Sequence, residues 1–393
     1  MVLDDNAKKA IALHKLLKGK IIVTGKIRKL RRNQIKLIYT PGVAAVCDEI
    51  YSHPEKKYEF TSKGNNVAIV TDGTRILGLG NIGPYAALPV MEGKAVLYRE
   101  FGGISAFPIC LNETNKEKII ATIKAIEPVF GAINLEDIES PKVLEISEEL
   151  ENSLSIPVFH DDRHGTSVVA LAALLNSLKL VHKQLQSIKI VVAGAGSAGY
   201  GITKLVVAAG CKNIVVTDSE GAIYKGRTKG MNKYKHELAE ISNPKREKGD
   251  LFDVMKNADV FIGVSGKKNL LNDRIIKRMN KDSIIFALTN PNPEVKPEIA
   301  KAAGAKIVAT GSYLYPNKVN NALVFPHIMR VILDKKIKKI TTDLLIATAQ
   351  AIAKTIPERK IRYDNIIPDM YDKNIRKNIS DSLSKLLAKR SHV

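Results

Sequence analysis

The chain has 393 residues, 45% of them hydrophobic and 26% charged, with 61 Lys+Arg against 40 Asp+Glu for a formal net charge of +21. This is the composition of a globular protein of roughly two or three domains, which excludes long disorder, collagen and a small disulfide scaffold. Three cysteines (Cys47, Cys110, Cys211) without C-x-x-C spacing give neither a disulfide framework nor a thiolate zinc site. No apolar run reaches the ~18 residues of a membrane span. The N-terminus carries early acids in place of a signal peptide's apolar core, so a cytoplasmic protein without a membrane partner is expected.

The positive charge gathers at the ends: residues 1–36 hold 11 Lys+Arg and 2 Asp+Glu, and residues 328–393 hold 15 and 7. Neither end interleaves aromatics or carries zinc spacing or an RNP-type sequence. They read as solvated helix faces and subunit contacts, with no nucleic-acid partner.

In chain order, residues 5–18 predict a capped amphipathic helix stopped by Gly19. The stretch 67–71, in the context NVAIVT, predicts a buried strand running into the turn Asp72-Gly73. A dense set of glycines follows (Gly73, Gly78, Gly80, Gly83, Gly93, Gly102 and Gly103), which marks close backbone approach to a ligand or another segment. Helices are expected over 116–127, 141–154 and 166–180, with strands over 128–133 and 156–159. From 188 the pattern alternates: IKIVVAG, NIVVTD (213–218), ADVFIGV (258–264), SIIFALT (283–289) and KIVAT (306–310) predict strands separated by helices. Apolar strands in that rhythm predict an α/β fold with a doubly wound, Rossmann-type parallel sheet. Amphipathic helices over 336–355 and 374–390 close the chain. The expected division is an N-terminal α/β substrate and catalytic domain over 1–160, a nucleotide domain over 161–327, and C-terminal helices over 328–393.

Gly194-Ala195-Gly196-Ser197-Ala198-Gly199 matches G-x-G-x-x-G, directly after a predicted strand and opening a helix. The glycines permit a tight turn and backbone approach to a pyrophosphate at the helix N-terminus. Asp218, at the end of the next strand, is placed to accept ribose hydroxyls. It favours NAD, but Lys225, Arg227, Lys229, Lys233 and Lys235 follow closely and leave NADP open.

Two acidic doublets, Glu136-Asp137 and Asp161-Asp162, each follow a strand-like segment. Hard dications such as Mg²⁺ or Mn²⁺ take one or two carboxylates together with water and substrate. Neighbouring strand residues face opposite sides, so both members of a doublet meet one ion only where the strand has ended. His160 and His164 are alternative ligands.

Together these segments resemble the malic enzymes. The match runs through Tyr39-Thr40-Pro41-Gly42-Val43, VTDGTRILGLGNIG (70–83), MEGKAVLY (91–98), LEDI (135–138), HDDRHGT (160–166), GAGSAG (194–199), FALTNPNPE (286–294) and NKVNNALVFP (317–326). The length is similar to the short prokaryotic form. Arg163 and His327 depart from the family's usual residues at those positions.

The resemblance implies that Glu136, Asp137 and Asp162 bind the metal, with Asp161 hydrogen-bonded to Lys94. It makes Tyr39 and Lys94 the catalytic pair and Arg75 the clamp on a substrate carboxylate. Asn290 and Asn321 would contact substrate and nicotinamide ribose. It further implies oxidative decarboxylation of malate to pyruvate and CO₂ with reduction of NAD or NADP, decarboxylation of oxaloacetate, and a homodimer. On this reading the amine, the phenol and the acidic doublets converge in one cleft. The rival readings are a metal-independent amino-acid-dehydrogenase-like oxidoreductase and a non-catalytic nucleic-acid-binding protein.

Overall fold

The computed structural model describes residues 5–77 and 79–390. Gly78 and the extreme ends of the first and last expected domains lie outside the described residues. Two parallel sheets organise the chain. The first joins β1 (Asn66–Thr71), β2 (Ser105–Cys110), β3 (Ala132–Leu135) and β4 (Val158–His160) in the order β2-β1-β3-β4. The second joins β5 (Lys189–Ala193), β6 (Asn213–Asp218), β7 (Gly221–Ala222), β8 (Val260–Gly263), β9 (Ile284–Ala287) and β10 (Ile307–Thr310) in the order β10-β9-β8-β5-β6-β7. Only the short β7 runs antiparallel. The central strands are buried on both faces, which is why their sequences are continuous apolar runs.

Several elements differ from the sequence reading. The glycine-crowded stretch contains a helix of 20 residues, Gly83–Gly102, despite Pro89 and Gly93 in its interior. Tertiary packing overrides its poor propensity, because Ala87, Met91, Ala95 and Tyr98 are buried along one face. β2 contains Pro108 and lies at the sheet edge, the place where a strand tolerates a residue with no N–H to donate. The strand expected over 128–133 begins only at Ala132, after a 3₁₀ turn at Glu127–Val129 that suits the fixed φ of Pro128. The expected helix over 166–180 starts earlier, at Asp161, immediately after β4. The helix expected from 336 begins at Thr342, where the Thr341 hydroxyl caps it by accepting from the Leu344 N–H.

The helix Asp161–Leu180 joins the two sheets and packs against Ser197–Ala208 on one side and Thr342–Thr355 on another. Its buried Asn176 donates to the Ala353 and Ile366 carbonyls at 2.9 and 3.0 Å, tying the C-terminal helices to it. The helix Phe325–Asp334 returns to the first sheet's side, where Phe325 meets Tyr98 with ring centres 4.8 Å apart. No described helix is long and apolar enough to cross a membrane.

Candidate active site

Parallel strands bring their C-terminal ends to one edge of a sheet, where open α/β folds bind ligands. Leu135, the last residue of β3, pairs with His160, the last of β4. Glu136-Asp137 and Asp161-Asp162 therefore leave neighbouring strands at the same level. Asp161 and Asp162 lie in the first turn of a helix, so they diverge. Asp162 lines a cavity of about 420 Å³ shared with Glu136, Asp137, Arg75, Lys94, Asn290 and Asn321. Asp161 lies beneath it, fully buried.

Lys94 is only 6% exposed and donates to Asp161 Oδ2 and, at 2.8 Å, to Glu136 Oε2. Its ammonium also lies 3.9 Å from the centre of the Phe325 ring. Asn321 Nδ2 donates to Asp161 Oδ2 at 2.7 Å. On the other side, Asn134 Nδ2 donates to Glu136 at 2.9 Å, and the Tyr98 hydroxyl donates to Asn134 Oδ1 at 2.6 Å. Gly165, one turn beyond Asp161, makes room for that carboxylate: a Cβ on it would stand 2.0 Å from Asp161 Oδ1. The sequence reading missed Tyr98, Asn134, Gly165 and Phe325. Asn134, a lone polar residue inside an apolar strand, was the visible signal.

Burial works to discharge Lys94, yet Asp161 and Glu136 outweigh it and hold the ammonium above the ordinary lysine range. Asp137 adopts a left-handed backbone (φ 50°), and its carboxyl is pushed up to about 9 by burial and then by Glu136 and Asp162. Asp162 is pushed up to about 6 by burial and Glu136, with Arg75 and Lys94 pulling it back. These carboxylates crowd one another around one cavity. Among the described residues, no three Asp, Glu, His or Cys side chains are gathered closely enough to hold a cation as they stand. Glu136 is turned onto Lys94 and Asn134 instead. The donor chemistry still fits a hard dication, whose charge would reverse the repulsion that raises Asp137 and Asp162. The alternative ligands do not share the cavity: His164 accepts from Arg163 Nε at 3.0 Å, and burial holds both His160 and His164 well below the ordinary histidine range.

Tyr39 is not brought to this cavity. It closes the helix Arg32–Ile38, is 70% exposed, and is absent from the cavity wall. The convergence of amine, phenol and acids therefore does not occur within one copy. Among the described residues, the helices Asp5–Leu17, Arg32–Ile38 and Val43–Ser52 have no fully buried member, so Tyr39 sits on a largely exposed N-terminal segment.

The fingerprint glycines open the second sheet's side of the same cleft. Gly194 has φ +116°, and a Cβ there would stand 2.6 Å from the Val264 carbonyl, so only glycine makes the turn. Gly196, Ser197 and Ala198 line the 420 Å³ cavity, while Gly199 is buried against the turn. A second cavity of about 250 Å³ continues past Gly194 and Gly196 to Asp218. Arg75 lines both. The buried Ser197 Oγ has no hydrogen-bond partner at the helix N-terminus, which fits a phosphate oxygen there. Burial raises the Asp218 carboxyl, but hydrogen bonds from Arg227 and Lys235 prevail and hold it below the ordinary range.

A dinucleotide groove that opens onto a buried amine and an acid cluster between two parallel sheets defines a nicotinamide-nucleotide oxidoreductase. Residues 18–121 match the family model "Malic enzyme, N-terminal domain" and residues 164–388 match "Malic enzyme, NAD binding domain". The chain is 48% identical to the bifunctional malic/malolactic enzyme of Bacillus subtilis, over 96% of this chain and 92% of that protein. It is 43% identical to the NADP-dependent malic enzyme of Escherichia coli, over 89% of this chain but 46% of that longer protein. The crystal structure of the NAD-dependent malic enzyme from Thermotoga maritima superposes with a TM-score of 0.91 at 46% identity, covering 97% of this chain and 99% of that one. The chain belongs to the malic enzyme family.

Proposed function

We propose that this chain oxidises malate and decarboxylates the resulting oxaloacetate to pyruvate and CO₂, reducing NAD or NADP, in the cytoplasm and as a homodimer. The observation that carries this reading is the buried Lys94–Asp161–Glu136 cluster, set in a cavity continuous with the dinucleotide groove. Glu136, Asp137 and Asp162 would hold Mg²⁺ or Mn²⁺. Bound in the groove, the nicotinamide would supply a hydride acceptor for malate C2 and the cation would supply Lewis acidity. Lys94 takes the malate hydroxyl proton, which it can do only once the pull of Glu136 and Asp161 on its own proton is weakened. Asp161, steadied by Asn321, keeps the amine aimed. Arg75 clamps a substrate carboxylate. Asn290 and Asn321 orient substrate and nicotinamide ribose.

Tyr39 protonates C3 of enolpyruvate from a second copy of the chain. What supports this is its exposure, together with an N-terminal segment whose Leu16, Ile22, Leu37 and Tyr51 are all exposed. A self-complementary dimer covers that surface and delivers the phenol to the neighbour's cavity. The test is absorbance at 340 nm with malate and Mn²⁺, run with each nucleotide and with a chelator. Growth of the signal that the chelator abolishes is expected. Turnover that survives chelation would favour the metal-independent reading, and no turnover with either nucleotide would overturn the proposal.

A further inference from the structure

Behind the walls of the two cavities lies a carboxylate that no step above uses. Glu294 is fully buried and lines neither cavity. Its backbone is moored away from the site: its carbonyl accepts from the Leu271 N–H at 3.0 Å, and the adjoining Val295 is buried in the core on one face of the second sheet. Its side chain reaches the end of β8. Gly263, the last residue of that strand, makes room for it, since a Cβ there would stand 2.4 Å from Glu294 Cδ. Oε1 accepts from the Ser265 N–H at 3.3 Å, from the Ser265 hydroxyl at 3.4 Å and from the Thr289 hydroxyl. Oε2 accepts from the Thr289 N–H at 3.2 Å. Thr289 Oγ in turn accepts from the Gly266 N–H at 3.1 Å, which closes a ring of hydrogen bonds between the two segments.

The segments joined in this way are the cavity walls. Val264 and Gly266 after β8, and Thr289 and Asn290 after β9, line the 420 Å³ cavity, and Val264 and Ser265 also line the smaller one. A buried carboxylate is costly unless its oxygens are satisfied, so Glu294 is stable only while both loops hold their donors against it. We infer that Glu294 is a positioning residue that ties the β8 and β9 loops together and so fixes Asn290 and the nicotinamide end of the groove against the substrate. The inference rests on the reading of this site as one that oxidises malate.

Glu294→Gln keeps the volume, but in either amide orientation its NH₂ group faces the N–H of Ser265 or of Thr289, so one loop is released. Thr289→Val removes the hydroxyl link, and Thr289→Ser retains it. The experiment measures kcat and nucleotide KM with malate and Mn²⁺, together with amide hydrogen exchange of the segments 264–266 and 288–290. Glu294→Gln and Thr289→Val should speed exchange in these loops and lower kcat by ~10–100-fold, the scale of misplacing a reacting group by up to about 1 Å. Nucleotide KM should change far less, because the fingerprint turn is untouched. Thr289→Ser should recover most of what Thr289→Val loses. A residue that only stabilises the sheet would leave kcat of the folded enzyme at its wild-type value, and that result overturns the inference. Unchanged exchange in both loops, or no recovery in Thr289→Ser, also counts against it. Should Glu294→Gln not fold, the Thr289 pair decides the matter by the same measurements. A wild type that does not oxidise malate sinks the reading of the site instead, and the exchange comparison then still decides whether Glu294 holds the loops.

Discussion

Gly165→Ala probes the site through a single methyl group. The new Cβ would lie 2.0 Å from Asp161 Oδ1, whereas carbon and oxygen approach no closer than ~3.3 Å without strain. Asp161 is fully buried, and to clear the methyl group its carboxylate must move by more than ~1 Å. That movement pulls Oδ2 from Lys94 and Asn321. Alanine in place of glycine favours a helix by ~1 kcal/mol. Disrupting a buried ion pair costs ~3–5 kcal/mol. The clash wins, and a net loss of ~2–4 kcal/mol of stability is expected. Misplacing a catalytic group by about 1 Å further predicts a fall in kcat of ~10²-fold. Urea unfolding and turnover at saturating malate measure the two effects. In an Asp161→Ala background the same substitution should cost little stability, because the carboxylate it strikes is gone. Wild-type kcat with an unmoved unfolding midpoint refutes the argument, as does an equal cost in both backgrounds.

Lys94→Ala should abolish oxidative decarboxylation while NADH fluorescence titration stays near wild type, since Lys94 lies outside the dinucleotide groove. Asp162→Ala should raise the Mn²⁺ concentration needed for half-maximal rate, and an unchanged requirement speaks against ligation. Tyr39→Phe should lose tautomerisation of pyruvate while retaining relatively more oxaloacetate decarboxylation and pyruvate reduction. His327 predicts an acid sensitivity: burial, aided by the charge of Arg376, holds its imidazole down at about 4. The unfolded chain binds this proton below its ordinary value of ~6.5, so this group's stabilisation is complete above that pH and is lost as pH falls towards about 4. The full loss is ~3 kcal/mol, and His327→Leu should flatten the urea midpoint against pH between those limits.

The second sheet was legible because each of its main strands is a short, continuous apolar run bounded by helices. The acidic doublets were legible as strand-end residues, although the helix that starts at Asp161, and so turns Asp161 away from Asp162, was not. The helix Gly83–Gly102 was hidden by Pro89 and Gly93, since its stability comes from packing of Met91 and Tyr98 that no local pattern displays. The polar chain Tyr98–Asn134–Glu136 was invisible for the same reason: its members come from a helix and a strand that meet only in the fold. The placement of Tyr39 could not be read from spacing at all, because it lies on an exposed surface away from the cavity.

Complementation between inactive copies tests the shared active site most directly. Tyr39→Phe and Lys94→Ala proteins, each defective in malate turnover alone, are mixed under conditions that exchange subunits. If each cavity draws Lys94 from one copy and Tyr39 from the other, random pairing restores about a quarter of the wild-type sites. Exchange without any recovery of malate-dependent NAD(P) reduction would contradict the account.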